Sequence, residues 1–193
     1  MSSIINNKSD VRPDMINDPD PSRLIHGLRD TGYDFNTAAA DIIDNSIAAG
    51  ADNIRINIEL AHDGRKFVYF GDDGHGMDAD ELRNAMRYGA KVRDNLASLG
   101  KFGLGLKTAS SSVCLKYSVI SRREASFPLL KLTWDLEHVE NKNVWEMLDE
   151  PVSHDEQELF EELCGDSGTL VVWSRCDSRA RSRTFSTDFS ITD

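Results

Sequence analysis

Asp41 and Asn45 stand four residues apart in the stretch NTAAADIIDNSIAA, residues 36–49. On a helix this spacing puts both side chains on one face, about 5–6 Å apart at Cβ. An amide oxygen beside a carboxylate can hold a Mg²⁺ ion and a water between them. Two glycine windows follow. GDDGHGM sets Gly71, Gly74 and Gly76 around Asp72 and ends on Met77, and GKFGLGLKTAS carries Gly100, Gly103 and Gly105 with Lys101 and Lys107. Six of the thirteen glycines fall within residues 71–76 and 100–105, where average usage would give about one in twelve residues. Glycine serves such a window by adopting positive φ or by letting a ligand lie against the main chain. In the first window a carboxylate can accept from an exocyclic amine while a flat ring rests on the backbone. In the second, a loop running into a helix aims N–H groups at an anion, with the lysines as point charges.

Each feature alone also has an ordinary reading, as a solvated helix face, an acidic turn or a flexible loop. Several chemistries are excluded outright. GDDGHGM lacks the spacing and closing glutamate of a calcium-binding EF-hand loop. The second window has no GxxxxGK[ST] spacing, and its glycine order reverses that of a dinucleotide fingerprint. No CxxC or His/Cys cluster suggests structural zinc.

Elements must hold these groups in place. The 36–49 stretch reads as a helix with Asn36 as cap, burying Ala39, Ile42, Ile43, Ser46 and Ile47 and presenting Asp41, Asp44 and Asn45. NIRINIEL (53–60) alternates as a half-buried strand with Ile54, Ile56, Ile58 and Leu60 inward, and KFVYF (66–70) completes a hairpin. A short helix is expected over PSRLIHGLRDTG (21–32), another over 78–88 and an acidic one near 155–163. Strands are expected near 116–122, 128–134 and 169–174. These elements do not alternate strictly, so the expected class is α/β (α+β): a two-layer sandwich, its sheet mixed but mostly antiparallel, with helices on one face. Residues 1–20 read as a flexible arm, 21–175 as the domain, and 176–193 as a tail or linker.

Composition sets the limits. The chain has 193 residues, 39% hydrophobic and 28% charged, long enough for one core of its own. A net charge of −11 opposes direct nucleic-acid binding, which needs a basic surface. No run approaches a membrane span, and the polar first twenty residues lack the apolar core of a signal peptide. Three widely spaced cysteines suit a reducing, cytoplasmic setting.

Taken in order, the motifs resemble those of the GHKL ATPases, the superfamily of gyrase, the large heat-shock chaperone, histidine kinases and MutL, which share the Bergerat ATP-binding fold. DIIDNS resembles its N box, GDDGHGM its DxGxG box, GKFGLGLK its glycine-rich box, and DSGTLVV (166–172) its last box. GYDFNTAAADIIDNSIAAGA together with GKFGLGLKTAS is most similar to MORC-type ATPases and their bacterial relatives. The resemblance implies that Asn45 ligates Mg²⁺, and that Asp72, with Thr169 and a water, reads the adenine amino group. Gly74, Gly76 and Met77 would line the adenine pocket. Gly100, Lys101, Phe102, Gly103, Leu104 and Gly105 would wrap the phosphates, with Lys107 nearby, and 87–99 would form a lid. Asp41 stands where the family usually has a glutamate as general base, one methylene shorter. The resemblance therefore implies ATP binding and slow hydrolysis that switches conformation, feeble in this fragment. A C-terminal transducer domain and a second subunit would be partners in a longer parent. A nucleotide sensor without turnover and a histidine-kinase-like module are the alternatives.

Overall fold

The computed structural model describes residues 19–30, 33–89 and 105–176. Along the chain come α1 (Pro21–Arg29), α2 (Phe35–Ala48), β1 (Ile54–Leu60), β2 (Lys66–Asp72), α3 (Ala79–Met86), α4 (Gly105–Val113), β3 (Cys114–Arg122), β4 (Leu130–Asp135), α5 (Leu136–Lys142), α6 (His154–Leu163) and β5 (Gly168–Cys176). The five strands lie in the order β1-β2-β5-β3-β4, and every pairing among them is antiparallel. This is the expected α+β sandwich of helices on an open sheet.

Strand alternation sorts the core into two layers. Val68 and Phe70 of β2, Val171 and Trp173 of β5, and Tyr117 and Val119 of β3 point to one face. There they meet Ile25 of α1, Ala38 and Ile42 of α2, Leu82 and Met86 of α3, Ala109 and Val113 of α4, and Leu136 and Val139 of α5. The intervening positions Ile120 and Leu170 point the other way, onto Phe160 and Leu163 of α6. Five helices thus cover the expected face and the sixth packs on the reverse. Gly71 permits that approach, since a Cβ there would stand 2.5 Å from the Cβ of Leu163. Arg55 donates to the Leu163 carbonyl and Arg122 to those of Gly165 and Asp166. These arginines satisfy the carbonyl at the end of α6 and two in the turn that follows it.

Local chemistry corrects several sequence expectations. The cap of α2 is Asp34, accepting from Thr37 N at 2.7 Å, so the helix begins before Asn36. Its buried stripe is Ala38, Ile42 and Ser46, whereas Ile47 is 56% exposed. α5 was not expected. Seven residues are too few for a clear period, and its signal is the cap Asp135, which accepts from His138 N. β1 forms its hairpin in register, Ile56 opposite Phe70 and Ile58 opposite Val68. However, Ile56, Ile58 and Leu60 are 44%, 59% and 68% exposed. The alternation is real, but β1 is the sheet's edge, and no described helix covers its apolar row. At the opposite edge Leu148 exchanges two main-chain hydrogen bonds with Thr133, covering the middle of β4.

Candidate nucleotide site

The apolar layer ends in a polar row. Asp72, the last residue of β2, lies opposite Thr169 of β5, which lies opposite Ser121 of β3. Alternation puts all three on the helix-bearing face, one step past Phe70, Val171 and Val119. Ser121 is fully buried and acts as a hub. Its Oγ lies 3.1 Å from Thr169 Oγ1, donates to the Gly168 carbonyl at 2.8 Å, and accepts from Met77 N at 2.9 Å. From above, Ser46 of α2 donates to Asp72 Oδ2 at 2.8 Å, and Gly74 N donates to Oδ1 at 3.0 Å.

Asp72 is only 5% exposed. Burial raises its carboxyl above the ordinary 3.8, outweighing the opposing hydrogen bonds from Ser46, Gly74 and Thr169. A carboxylate held this way is a strong acceptor waiting for a donor. Gly74 and Gly76 have protein reasons as well as ligand ones. A Cβ at Gly74 would come within 2.8 Å of the Ala49 carbonyl, and one at Gly76, whose φ is +60°, within 2.0 Å of the Arg122 carbonyl. Ser46 and Ser121 were missed by the sequence reading. Ser46 sits beside Asn45 in the same motif, so the signal was a hydroxyl on an otherwise apolar stripe. Ser121 gave no such signal, because only strand register aligns it with Thr169.

The second half of the site lies between α2 and α4. Asn45 Nδ2 donates to the Asp41 carbonyl at 2.7 Å, which leaves Oδ1 as the atom that can face a cation. A Cβ on Gly105 would lie 3.7 Å from Asp41 Oδ2, so the carboxylate stands beside the first residue of α4. Tyr33 reaches the same carboxylate. Burial raises its phenol, and its hydrogen bond to Asp41 and the negative charge there raise it further. Tyr33 is therefore a protonated donor to Asp41, another residue the sequence reading missed. Lys107 is placed differently from expectation. It is 2% exposed, and its Nζ donates to the Ala85 carbonyl at 2.7 Å in the last turn of α3. Burial lowers its ammonium to about 8. Gly100, Lys101, Phe102, Gly103 and Leu104 lie outside the described residues, as does all of the expected lid past Gly89.

The donor set suits Mg²⁺ carried in by a nucleotide. Among the described residues no three acids, histidines or cysteines converge. One amide oxygen beside an acid is what such an ion needs when phosphate and water supply its other ligands.

A family profile described as histidine kinase-, DNA gyrase B- and HSP90-like ATPase matches residues 33–169, well over half of the chain. Among similar proteins, MICRORCHIDIA 3 of Arabidopsis thaliana is 36% identical over 77 residues, covering 38% of this chain and 13% of that protein. MICRORCHIDIA 1 of the same plant is 28% identical over 152 residues, covering 71% of this chain and 24% of that protein. The match thus spans between 13% and 24% of these relatives' length. The chain belongs to the histidine kinase-, DNA gyrase B- and HSP90-like ATPase family, is similar to MICRORCHIDIA proteins, and carries that family's ATP-binding domain.

Proposed function

We propose that this member of the family binds ATP with Mg²⁺, hydrolyses it slowly, and uses the cycle to close the 87–99 segment as a lid. The observation that carries the reading is Asp72, an acceptor nearly sealed from water at the end of the sheet and braced by Ser46, Gly74 and Thr169. Adenine presents an amino group where guanine presents a carbonyl. A guanine would therefore set acceptor against acceptor, at a cost of a few kcal/mol. Asn45 Oδ1 would hold Mg²⁺ from the protein side, and the ion would neutralise phosphate charge. Asp41, held by Tyr33 and set beside the start of α4, accepts the proton of the attacking water. The phosphates would lie at that helix start, with Gly100–Gly105 wrapping them.

Calorimetry with ATP and GTP, each with and without Mg²⁺, tests this. The expected result is Mg²⁺-dependent binding that favours ATP at least tenfold. Equal binding of the two nucleotides would remove Asp72 from its role.

A second reading, a sensor that binds without turnover, rests on the short reach of Asp41. Measuring ADP release on the same sample separates the two. A transducer domain and a second subunit are the proposed partners in a longer parent, in keeping with the much greater length of the relatives. The cytoplasm is the proposed location, in keeping with three cysteines widely spaced along the sequence. No described helix is long and apolar enough to cross a membrane.

A further inference from the structure

A groove of about 910 Å³ opens on the far side of the helical layer from β1, among α1, α3, β4 and the chain at 145–147. Its apolar wall comprises Leu24, Leu28, Trp145 and Met147. Its back is aromatic, with Tyr88 and Trp134 centred 5.2 Å apart and Trp145 lying 5.3 and 5.8 Å from them. Leu24 is 41% exposed on this surface. The rim carries Arg83 and Arg87, both exposed and one helical turn apart, against one acid, Asp80. No ion pair joins either arginine to another side chain among the described residues. The groove is separate from the Asp72 row and from Asp41.

We propose that the groove is the docking site of the chain's own N-terminal arm, residues 14–18, with Met15 and Ile16 against the apolar wall and Asp14 and Asp18 against Arg87 and Arg83. Proximity carries the assignment first. Pro19, the first described residue, itself lines the groove, and Ile16 lies only three residues before it. A chain advances at most about 3.6 Å per residue, so Ile16 must fall within roughly 11 Å of the groove wall. Charge carries it second. The stretch DVRPDMIND (10–18) holds three acids and one base, opposite in sign to the rim, with its two largest apolar side chains adjacent at 15 and 16. The C-terminal segment is a poorer occupant, because SRARSR is basic and would meet the arginines. An arm seated here packs on Tyr88, whose hydroxyl lies 2.6 Å from Ser111 Oγ. Its occupancy is thereby connected to α4 and to the root of the 87–99 segment.

The test places a photoreactive benzoylphenylalanine at position 16 of the full chain and maps the cross-links by mass spectrometry. The expected result is cross-links to α1 and to residues 145–147 in species of monomer mass. Reversing both rim charges, Arg83→Glu with Arg87→Glu, should lower the yield roughly fivefold to thirtyfold, as two surface pairs of about 0.5–1 kcal/mol each would give. Both residues are exposed, so the fold survives. Adding Asp14→Arg and Asp18→Arg should restore the yield. Cross-links to other surfaces, cross-links joining two copies, or a yield indifferent to the charge reversal would each overturn the proposal.

Discussion

Asp72 holds stability and recognition in opposition. Its carboxyl titrates above 3.8 when folded. The stability it contributes as a neutral acid is therefore present below about 3.8 and is lost as pH rises through the folded value. Once ionised, the buried group is a liability that the fold tolerates. Asp72→Asn keeps the shape, can still accept from Gly74 N, and carries no charge. It should raise the thermal midpoint of the nucleotide-free protein while weakening ATP binding more than tenfold, read by calorimetry and differential scanning on the same sample. A lowered midpoint would show that the buried charge is better compensated than its surroundings suggest. Tyr33 and Asp41 form the other informative pair. Asp41→Asn should abolish turnover with affinity nearly intact, because the acid acts on water and not on the nucleotide. Tyr33→Phe leaves the acid in place but unheld, and should lower kcat about tenfold with little change in affinity, a loss in keeping with a base displaced by a fraction of an ångström. Unchanged turnover in both variants would dismiss Asp41 as the base. Asp41→Glu asks whether the shorter acid limits the rate: a rise in turnover says that it does, a fall that the pocket is shaped for aspartate.

At the scale of elements, Lys107 ties the start of α4 to the end of α3. Its ammonium is lowered from 10.5 to about 8, so the stability it contributes is present above 10.5 and lost as pH falls through 8. Between pH 7.5 and 9.5 the native protein should gain about 1–2 kcal/mol relative to Lys107→Met, followed by urea unfolding at each pH. A constant difference would mean the ammonium is better solvated than its burial implies. The reverse face offers a second test. Gly71→Ala drives a methyl into Leu163, with an expected loss of about 1–3 kcal/mol. Gly27→Ala in α1, where a Cβ meets nothing within 4 Å, should stabilise by up to about 1 kcal/mol. These two glycines also show how far the sequence was legible. Spacing alone gave the helix bearing Asp41 and Asn45, the hairpin and the strand carrying Thr169, because 3.6- and 2-residue periods are local, but it ended β2 at Phe70, two residues short of Asp72. The partner of each glycine and the register that sets Ser121 beside Thr169 depend on what packs opposite, and the choice of Asp34 over Asn36 as cap on which side chain turns back to a free helix N–H. None of these is written in the spacing. Lys107 shows the same limit: its position beside a glycine motif suggested phosphate, and its contact is a helix end.

For the whole molecule, the edge at β1 bears on how copies meet. Ile56, Ile58 and Leu60 stand exposed on a strand whose outer main-chain groups pair with no other described strand, the combination that templates pairing with another strand. Each copy also carries a net charge of −11, so two copies approaching edge to edge repel over the screening distance, about 10 Å at 0.1 M salt and 3 Å at 1 M. Ionic strength should therefore act as a rheostat on self-association. Sedimentation should find a monomer in dilute buffer and a growing dimer fraction as sodium chloride approaches 1 M, the reverse of an assembly held by ion pairs. Ile58→Lys, placing a charge in the middle of the row, should hold the chain monomeric throughout. Association that weakens with salt, or that ignores the lysine, would assign the contact to another surface. A dimer that grows with salt and is lost with the lysine makes the acidic surface the device that keeps a bare strand solvated and available, its exposure set by the ionic composition of the surroundings.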